Sequence, residues 1–488
     1  MEHPPMLVDG EWLEASDGQV HEVFDPGLDE VIAVVPEATY QDVDRAVTAA
    51  QRVFEDGAWR SIDTMLRQRM LLRVADLLDS NLLDIALVEA RNTGKPLKLA
   101  EANVRRASYF FRYYAGHVGD QSLQMLEAGE QKVTYVVREP VGVVAIVFPW
   151  NFPIQMAAMR LSAALAAGNS CVLKPPEEAP LSTLLLVRLC LEAGIPSGAV
   201  NCVTGIGERA GQYLVSHPSV DKVAFCGGTE TGKKILRACA DTVKRSVLEL
   251  GGKTPQVLFG DADLKSAIEA VVFGTVFNQG EVCNAGSRLL VEESVVEDVV
   301  RGIVAKLQEV RIGYCTDPDV QMGPLITRGH WKRVSGYVEI GKQEGARLLC
   351  GGGKPDGDRF RRGYYYAPTV FDDVTPTMRI AQEEIFGPVL SVIRFHGEEE
   401  AVEIANGTMY GLAAAVWTRD VRKALRVVGK IRAGVTWVNT FDQSPQHGPW
   451  GGFKQSGIGR EKGRYSLEEY TEIKQVTISF EDQPVKLN

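Results

Sequence analysis

A chain of 488 residues is too long for one ordinary domain and implies roughly two or three. Hydrophobic residues make up 45% and charged residues 24%, a soluble globular mix that excludes a disordered or fibrous chain. Acidic residues outnumber basic ones, 63 to 53, and the formal net charge of -10 argues against a nucleic-acid binder. No apolar run reaches the ~18 residues of a membrane span. The best, 141–147, stops at Pro149 and Asn151. The N-terminus, with Glu2, Pro4 and Pro5, lacks a signal-peptide pattern, so a cytoplasmic protein is expected. The eight cysteines form no dense framework and no CxxC pair, which leaves room for one special thiol. The seven histidines are scattered, without HExxH or Cys/His spacing, and no metal is expected.

In chain order, 40–50 and 64–99 read as helical, and 131–139 as a polar, β-branched strand. Then 141–147 reads as a strand, 156–167 as a helix stopped by Gly168-Asn169, and 171–174 as a strand ended by Pro175-Pro176. Helix 181–193, strand 200–203, helix 207–216, strand 220–225, helix 229–240 and strand 243–250 follow. This alternation predicts βαβ units, an α/β fold with a parallel sheet covered by helices. Ligands of such sheets bind at the carboxyl ends of the strands. A second unit begins near Gly251-Gly252, with strand 256–259, helix 263–278, strand 287–291 and helix 295–310, and alternation resumes over 366–439. The strands 131–139 and 471–480 have no obvious partner nearby. They suggest pairing across a subunit boundary, or else an ordinary surface hairpin.

Two glycine motifs need weighing. Gly205-Ile206-Gly207-Glu208-Arg209-Ala210 fits GxGxxA between a strand and a helix, but Asp221 and Glu230 are poorly placed as its acidic partner. It reads as a phosphate contact or a tight turn. Gly227-Gly228-Thr229-Glu230-Thr231-Gly232-Lys233 matches the start of a P-loop, yet Lys234 stands where Ser or Thr must hold magnesium. Nucleotide hydrolysis is therefore not expected. The turn still opens a helix whose amides can receive an anion.

Four apolar strands end in polar, glycine-flanked tips. They are Phe148-Pro149-Trp150-Asn151-Phe152-Pro153, Leu248-Glu249-Leu250-Gly251-Gly252-Lys253, the stretch 278–288 containing Cys283, and Glu383-Glu384-Ile385-Phe386-Gly387-Pro388. Alone, the cysteine is a small hydrophobe, the glutamate a surface charge, and Asn151 a helix cap. Together, in this order and spacing, they resemble the NAD(P)-dependent aldehyde dehydrogenase superfamily. The resemblance runs from Val8-Asp9-Gly10-Glu11-Trp12 to Leu467-Glu468-Glu469-Tyr470.

The resemblance implies a Rossmann-like cofactor domain (1–118 and 141–250), an α/β catalytic domain (251–450) and a β-strand oligomerisation arm (119–140 and 466–488). It implies Cys283 as nucleophile, forming a thiohemiacetal and then a thioester. Asn151 and the Cys283 N–H would hold the oxyanion, and Glu249 would activate the hydrolytic water. Relatives that pass the acyl group to coenzyme A usually lack this glutamate, so hydrolysis is favoured. Lys174 and Glu177 would bind the adenosine ribose, and the Glu177 carboxylate would prefer NAD to NADP. Gly228, where many relatives carry Ser, would lie near the pyrophosphate. Glu384 and Phe386 would hold the nicotinamide ribose and ring, and Trp150 would lend backbone near the adenosine side.

The chain most resembles betaine-aldehyde-type members, on 449–461 and on Phe225-Cys226-Gly227-Gly228-Thr229. Phe152, Met159, Phe277 and Trp450 would line the substrate pocket. A quaternary ammonium wants an aromatic cage, and Trp450 matches one wall. Phe152 stands where Tyr is common, Met159 where Trp is common and Phe277 where some members use Trp. The substrate reads as betaine aldehyde or an amino aldehyde, with a broad, aromatic or aliphatic specificity as the alternative. Further alternatives are a coenzyme A-acylating enzyme and a silent structural relative. The expected partners are a small aldehyde and further copies of the chain, as a dimer or homotetramer, with no nucleic acid and no membrane.

Overall fold

The computed structural model describes residues 3–119 and 123–480. Two β-sheets, each flanked by helices, carry the chain. The first has eight strands. Its five central strands are parallel, in the spatial order Val200–Cys202, Ser170–Lys174, Val143–Val147, Lys222–Cys226, Arg245–Glu249. The short strands Met6–Val8 and Gly457–Ile458 close its two sides antiparallel. The second sheet has seven strands, all parallel except the edge strand Arg347–Cys350. The central strands are buried on both faces, as a parallel sheet covered by helices requires.

The expected elements are present with shifted ends. The stretch 64–99 is not one helix. It divides into Thr64–Ser80, Leu82–Thr93 and Leu97–Ala115. Gly94 takes a left-handed φ of 77° that ends the middle helix, and Pro96 caps the next. The helix expected over 263–278 ends at Val276, because Asn278 and Gln279 adopt left-handed backbone in a tight turn. The turn Gly207–Gly211 is π-helical before the short helix Gln212–Ser216.

The two strands expected to lack partners pair with each other. Lys132–Pro140 runs antiparallel to Thr471–Ser479, and Gln124–Ala128 adds a third strand. The 331-residue separation of Pro140 and Thr471, paired in this ladder, hid the match from any local reading. Residues 120–122 and 481–488 of the expected arm lie outside the described residues.

One buried ion pair ties the helix Pro153–Ala167 to the C-terminal region. Arg160 Nη2 lies 2.7 Å from Glu461 Oε2, with side chains 1% and 4% exposed. Removing one partner leaves an uncompensated buried charge. Arg160→Met should therefore lower the unfolding free energy by about 3–5 kcal/mol, read as an earlier urea midpoint. An unchanged midpoint would show that the pair adds nothing to the fold.

Candidate active site

The strand order of the first sheet reverses between Val143–Val147 and Lys222–Cys226. A crevice forms at the carboxyl ends of strands at such a reversal. Here those ends are Pro149, Trp150 and Asn151 on one side, and Gly227 and Gly228 on the other. With Glu249, Cys283, His330, Arg333, Glu384 and Phe386 they line a cavity of about 250 Å³.

Asn151 is buried just before the helix Pro153–Ala167, whose cap residue is Phe152, so Asn151 is not the helix cap. Its Nδ2 donates to the Glu281 carbonyl at 2.9 Å. A primary amide has two protons, which leaves one for a ligand. The Asn151 backbone carbonyl accepts from Lys95 Nζ at 2.8 Å, and Lys95 is itself fully buried and paired with Glu89 at 3.2 Å.

Cys283 sits in the turn between Phe277–Gly280 and the strand Arg288–Glu292, partly exposed to the cavity. Burial, and then the facing Glu249 carboxylate, push its thiol well above the usual range. Glu249 ends the strand Arg245–Glu249 and is 1% exposed. The Cys226 thiol donates to its Oε2, and Trp450 Nε1 lies 3.4 Å from its Oε1. A side chain at Gly252 would bring its Cβ within 2.2 Å of the Cys283 carbonyl oxygen. Glycine is therefore required for the turn after Glu249 to reach the cysteine loop.

Glu384 Oε1 accepts from the Gly252 N–H at 3.0 Å. Burial raises its carboxyl to about 7 despite that bond. Phe386 holds a left-handed φ of 63°. His330 Nε2 lies 2.6 Å from the Phe386 carbonyl oxygen. Burial lowers the imidazole to about 4, so the ring is neutral, and the carbonyl requires the proton on Nε2. The Trp150 indole packs edge-on against Phe386 at 5.4 Å and His330 at 5.2 Å. Its ring, and not only its backbone, thus belongs to the Phe386 side of the cavity.

Lys174 and Glu177 stand apart from this cavity, paired at 2.8 Å after the strand Ser170–Lys174. Burial alone would raise the Glu177 carboxyl, but the Lys174 ammonium holds it below its ordinary value. A Cβ on Gly207 would lie 3.9 Å from both charged tips, so the GxGxxA turn abuts this pair. The P-loop-like lysine, Lys233, turns to Glu230 at the surface.

Phe152, Met159, Phe277 and Trp450, expected as the substrate wall, are not among the lining of that 250 Å³ cavity, although Trp450 reaches Glu249 with its Nε1. Phe152 and Met159 are buried, and Phe152 stacks on Phe277 at 6.2 Å. Phe277 lines an open depression of about 1010 Å³ together with Phe273, Phe441 and Asp442. Lysine ammoniums already occupy two of the rings, Lys95 at 4.6 Å over Phe152 and Lys462 at 4.4 Å over Trp450. Cys226, His330, Arg333 and Lys95 escaped the sequence reading. Cys226 carried a usable signal, as the last residue of an apolar strand before Gly227-Gly228. His330, Arg333 and Lys95 lie in no motif that would mark them.

A family model described as the aldehyde dehydrogenase family matches residues 12–476. The betaine aldehyde dehydrogenase of Bacillus subtilis is 41% identical over 472 residues, 96% of each chain. Human retinal dehydrogenase 2 is 41% identical over 483 residues, 98% of this chain and 92% of that one. The crystal structure of Staphylococcus aureus betaine aldehyde dehydrogenase in complex with NAD+ superposes with a TM-score of 0.97 at 38% identity, covering 99% of this chain and 96% of that one. With a match of this extent in sequence and in fold, the chain belongs to the aldehyde dehydrogenase family.

Proposed function

We propose that this protein oxidises an aldehyde to its carboxylic acid with NAD. The observation that carries the reading is the Glu249 carboxylate facing the Cys283 thiol inside one cavity, beside the Asn151 amide. Its residues suit a dinucleotide. Gly228 opens the helix Thr229–Ala240 without a side-chain cap, and no atom lies within 4 Å of where its Cβ would stand. That leaves amides and room for a pyrophosphate. Glu177 offers a carboxylate to a ribose and repels a 2′-phosphate, which favours NAD over NADP. Glu384 and Phe386 are placed to hold the nicotinamide ribose and ring.

The Cys283 sulfur, having given its proton to solvent, attacks the aldehyde carbon, and the carbonyl π electrons move onto the oxygen. The resulting oxyanion is met by the free Asn151 amide proton and the Cys283 N–H. NAD, when bound, supplies the hydride acceptor, and a thioester on Cys283 remains. Glu249 then takes a proton from the water that hydrolyses it. A carboxylate at this position also separates the reading from acyl transfer to coenzyme A.

The relatives and Trp450 support betaine aldehyde or an amino aldehyde as substrate. The lysines over Trp450 and Phe152 favour a second reading, an apolar or aromatic aldehyde, because those ring faces already hold cations. We assign the cofactor role to residues 1–118 and 141–250, which carry seven of the eight strands of the first sheet, and the catalytic role to 251–450, which carry the seven-stranded one. The stretches 119–140 and 466–488, which contain the strands Gln124–Ala128, Lys132–Pro140 and Thr471–Ser479, are read as the oligomerisation arm of a dimer or tetramer. Leu123, Met125, Leu126, Ile473 and Phe480, all exposed there, support that role. Among the described residues no helix is long and apolar enough to cross a membrane. All eight cysteines are free, which suits a reducing cytoplasm.

An aldehyde panel followed by NADH absorbance tests the reading. Cys283→Ala should abolish turnover, and Glu249→Gln should give one burst of NADH followed by slow release. Full turnover in either variant removes that residue from its role. Glu177→Ser should lower the NAD over NADP ratio of kcat/KM about tenfold, and a constant ratio would exclude the ribose contact. Alkylation of Cys283 by iodoacetamide, followed by mass spectrometry against pH, should show a midpoint above the ordinary thiol range. Glu249→Gln should lower that midpoint, because a facing negative charge disfavours the thiolate.

A further inference from the structure

Cys226 is the last residue of the strand Lys222–Cys226 and the register partner of Glu249 on the neighbouring strand. It is 4% exposed and lines the same cavity as Cys283. The mechanism above gives it no part. Its bland reading is a small buried hydrophobe, and Cys171, Cys190 and Cys202 fit that description. Cys226 differs, because its thiol donates a hydrogen bond to Glu249 Oε2 while Trp450 Nε1 approaches Oε1.

We propose that Cys226 is a positioning residue for Glu249: its thiol, with the Trp450 indole, holds both carboxylate oxygens so that the base is aimed when the thioester forms. The inference rests on the reading of Glu249 as the base. Two donors on opposite oxygens remove most of the rotational freedom of the carboxylate. Burial keeps the Cys226 thiol protonated, so it remains a donor across the working pH range. The charged and titratable groups that face the pair are Arg160 on the helix Pro153–Ala167, Glu461 and Lys462 on the segment after Gly459, and Glu384 and Cys283 across the cavity. All of them are unchanged in a Cys226 variant, so a shift in the behaviour of Glu249 reports on the thiol.

The test compares Cys226→Val, which removes the donor at similar volume, with Cys226→Ser, which keeps one. Presteady-state NADH bursts and steady-state rates are measured from pH 5 to 9, with Glu249→Gln in parallel. In Cys226→Val the burst amplitude should persist, because acylation does not use the base. The steady-state kcat should fall about tenfold. Cys226→Ser should restore most of the rate. If burst and steady state fall together in Cys226→Val, or if Ser and Val behave alike, Cys226 only packs and the proposal is overturned. If Glu249→Gln turns over at the full rate, the reading of Glu249 itself fails, and the proposal falls with it. A trapped Glu249→Gln beside an unaffected Cys226→Val overturns the proposal alone.

Discussion

The site depends on one close approach. The first sheet ends at Glu249 and the second begins at Pro255, and the turn between them passes against the cysteine loop at Gly252. No side chain fits there, since even a Cβ would overlap the Cys283 carbonyl oxygen. Gly251 lies against Glu384, 2.5 Å from a built Cβ to Oε2, where the flexible end of that side chain rather than backbone would have to move. These two glycines let groups from separate sheets converge. Glu249 comes from the first sheet, and Cys283 and Glu384 come from loops of the second. A larger residue at Gly252 would separate chemistry that each sheet alone cannot assemble.

Desolvation sets the electrostatics around that contact. Burial raises Glu384 and Glu461 to about 7, and lowers Lys253 to about 7. The same penalty disfavours the Cys283 thiolate, the oxidation-prone and nucleophilic form of a cysteine. The Arg160 guanidinium stabilises one carboxylate, Glu461, and leaves the others to hydrogen bonds from Gly252, Cys226 and Trp450. Neutral donors orient a carboxylate without the full charge compensation that would make it a poor base.

Much of this was legible before any fold was known. Cys283, Glu249, Asn151, Glu384 and Phe386 all lie at strand tips or in glycine-flanked turns, and the parallel-sheet pattern places such tips at the ligand end. The tertiary structure brings all five to one cavity. What was illegible has a common cause. The partner of the strand Lys132–Pro140 lies more than 300 residues away, and no periodicity encodes that pairing. His330 and Lys95 act through backbone carbonyls, of Phe386 and Asn151, and a bond to a backbone atom leaves no mark on the sequence of its acceptor. The direction of the Trp150 ring, toward Phe386 and His330, was illegible because it depends on rotamers chosen by packing.

The sequence by itself showed a thiol, a carboxylate and an amide at glycine-flanked strand ends, and the resemblance these segments carry implied their roles and that of Glu177. Residue types and strand periodicity are local properties, and local properties can be read along a chain. Only the tertiary structure decided which groups touch. It placed the Cys226 thiol on Glu249, the lysines over the substrate-wall rings and the imidazole behind Phe386. Those contacts join positions far apart in the chain, and their geometry follows from the packing of two sheets at a turn too narrow for any side chain.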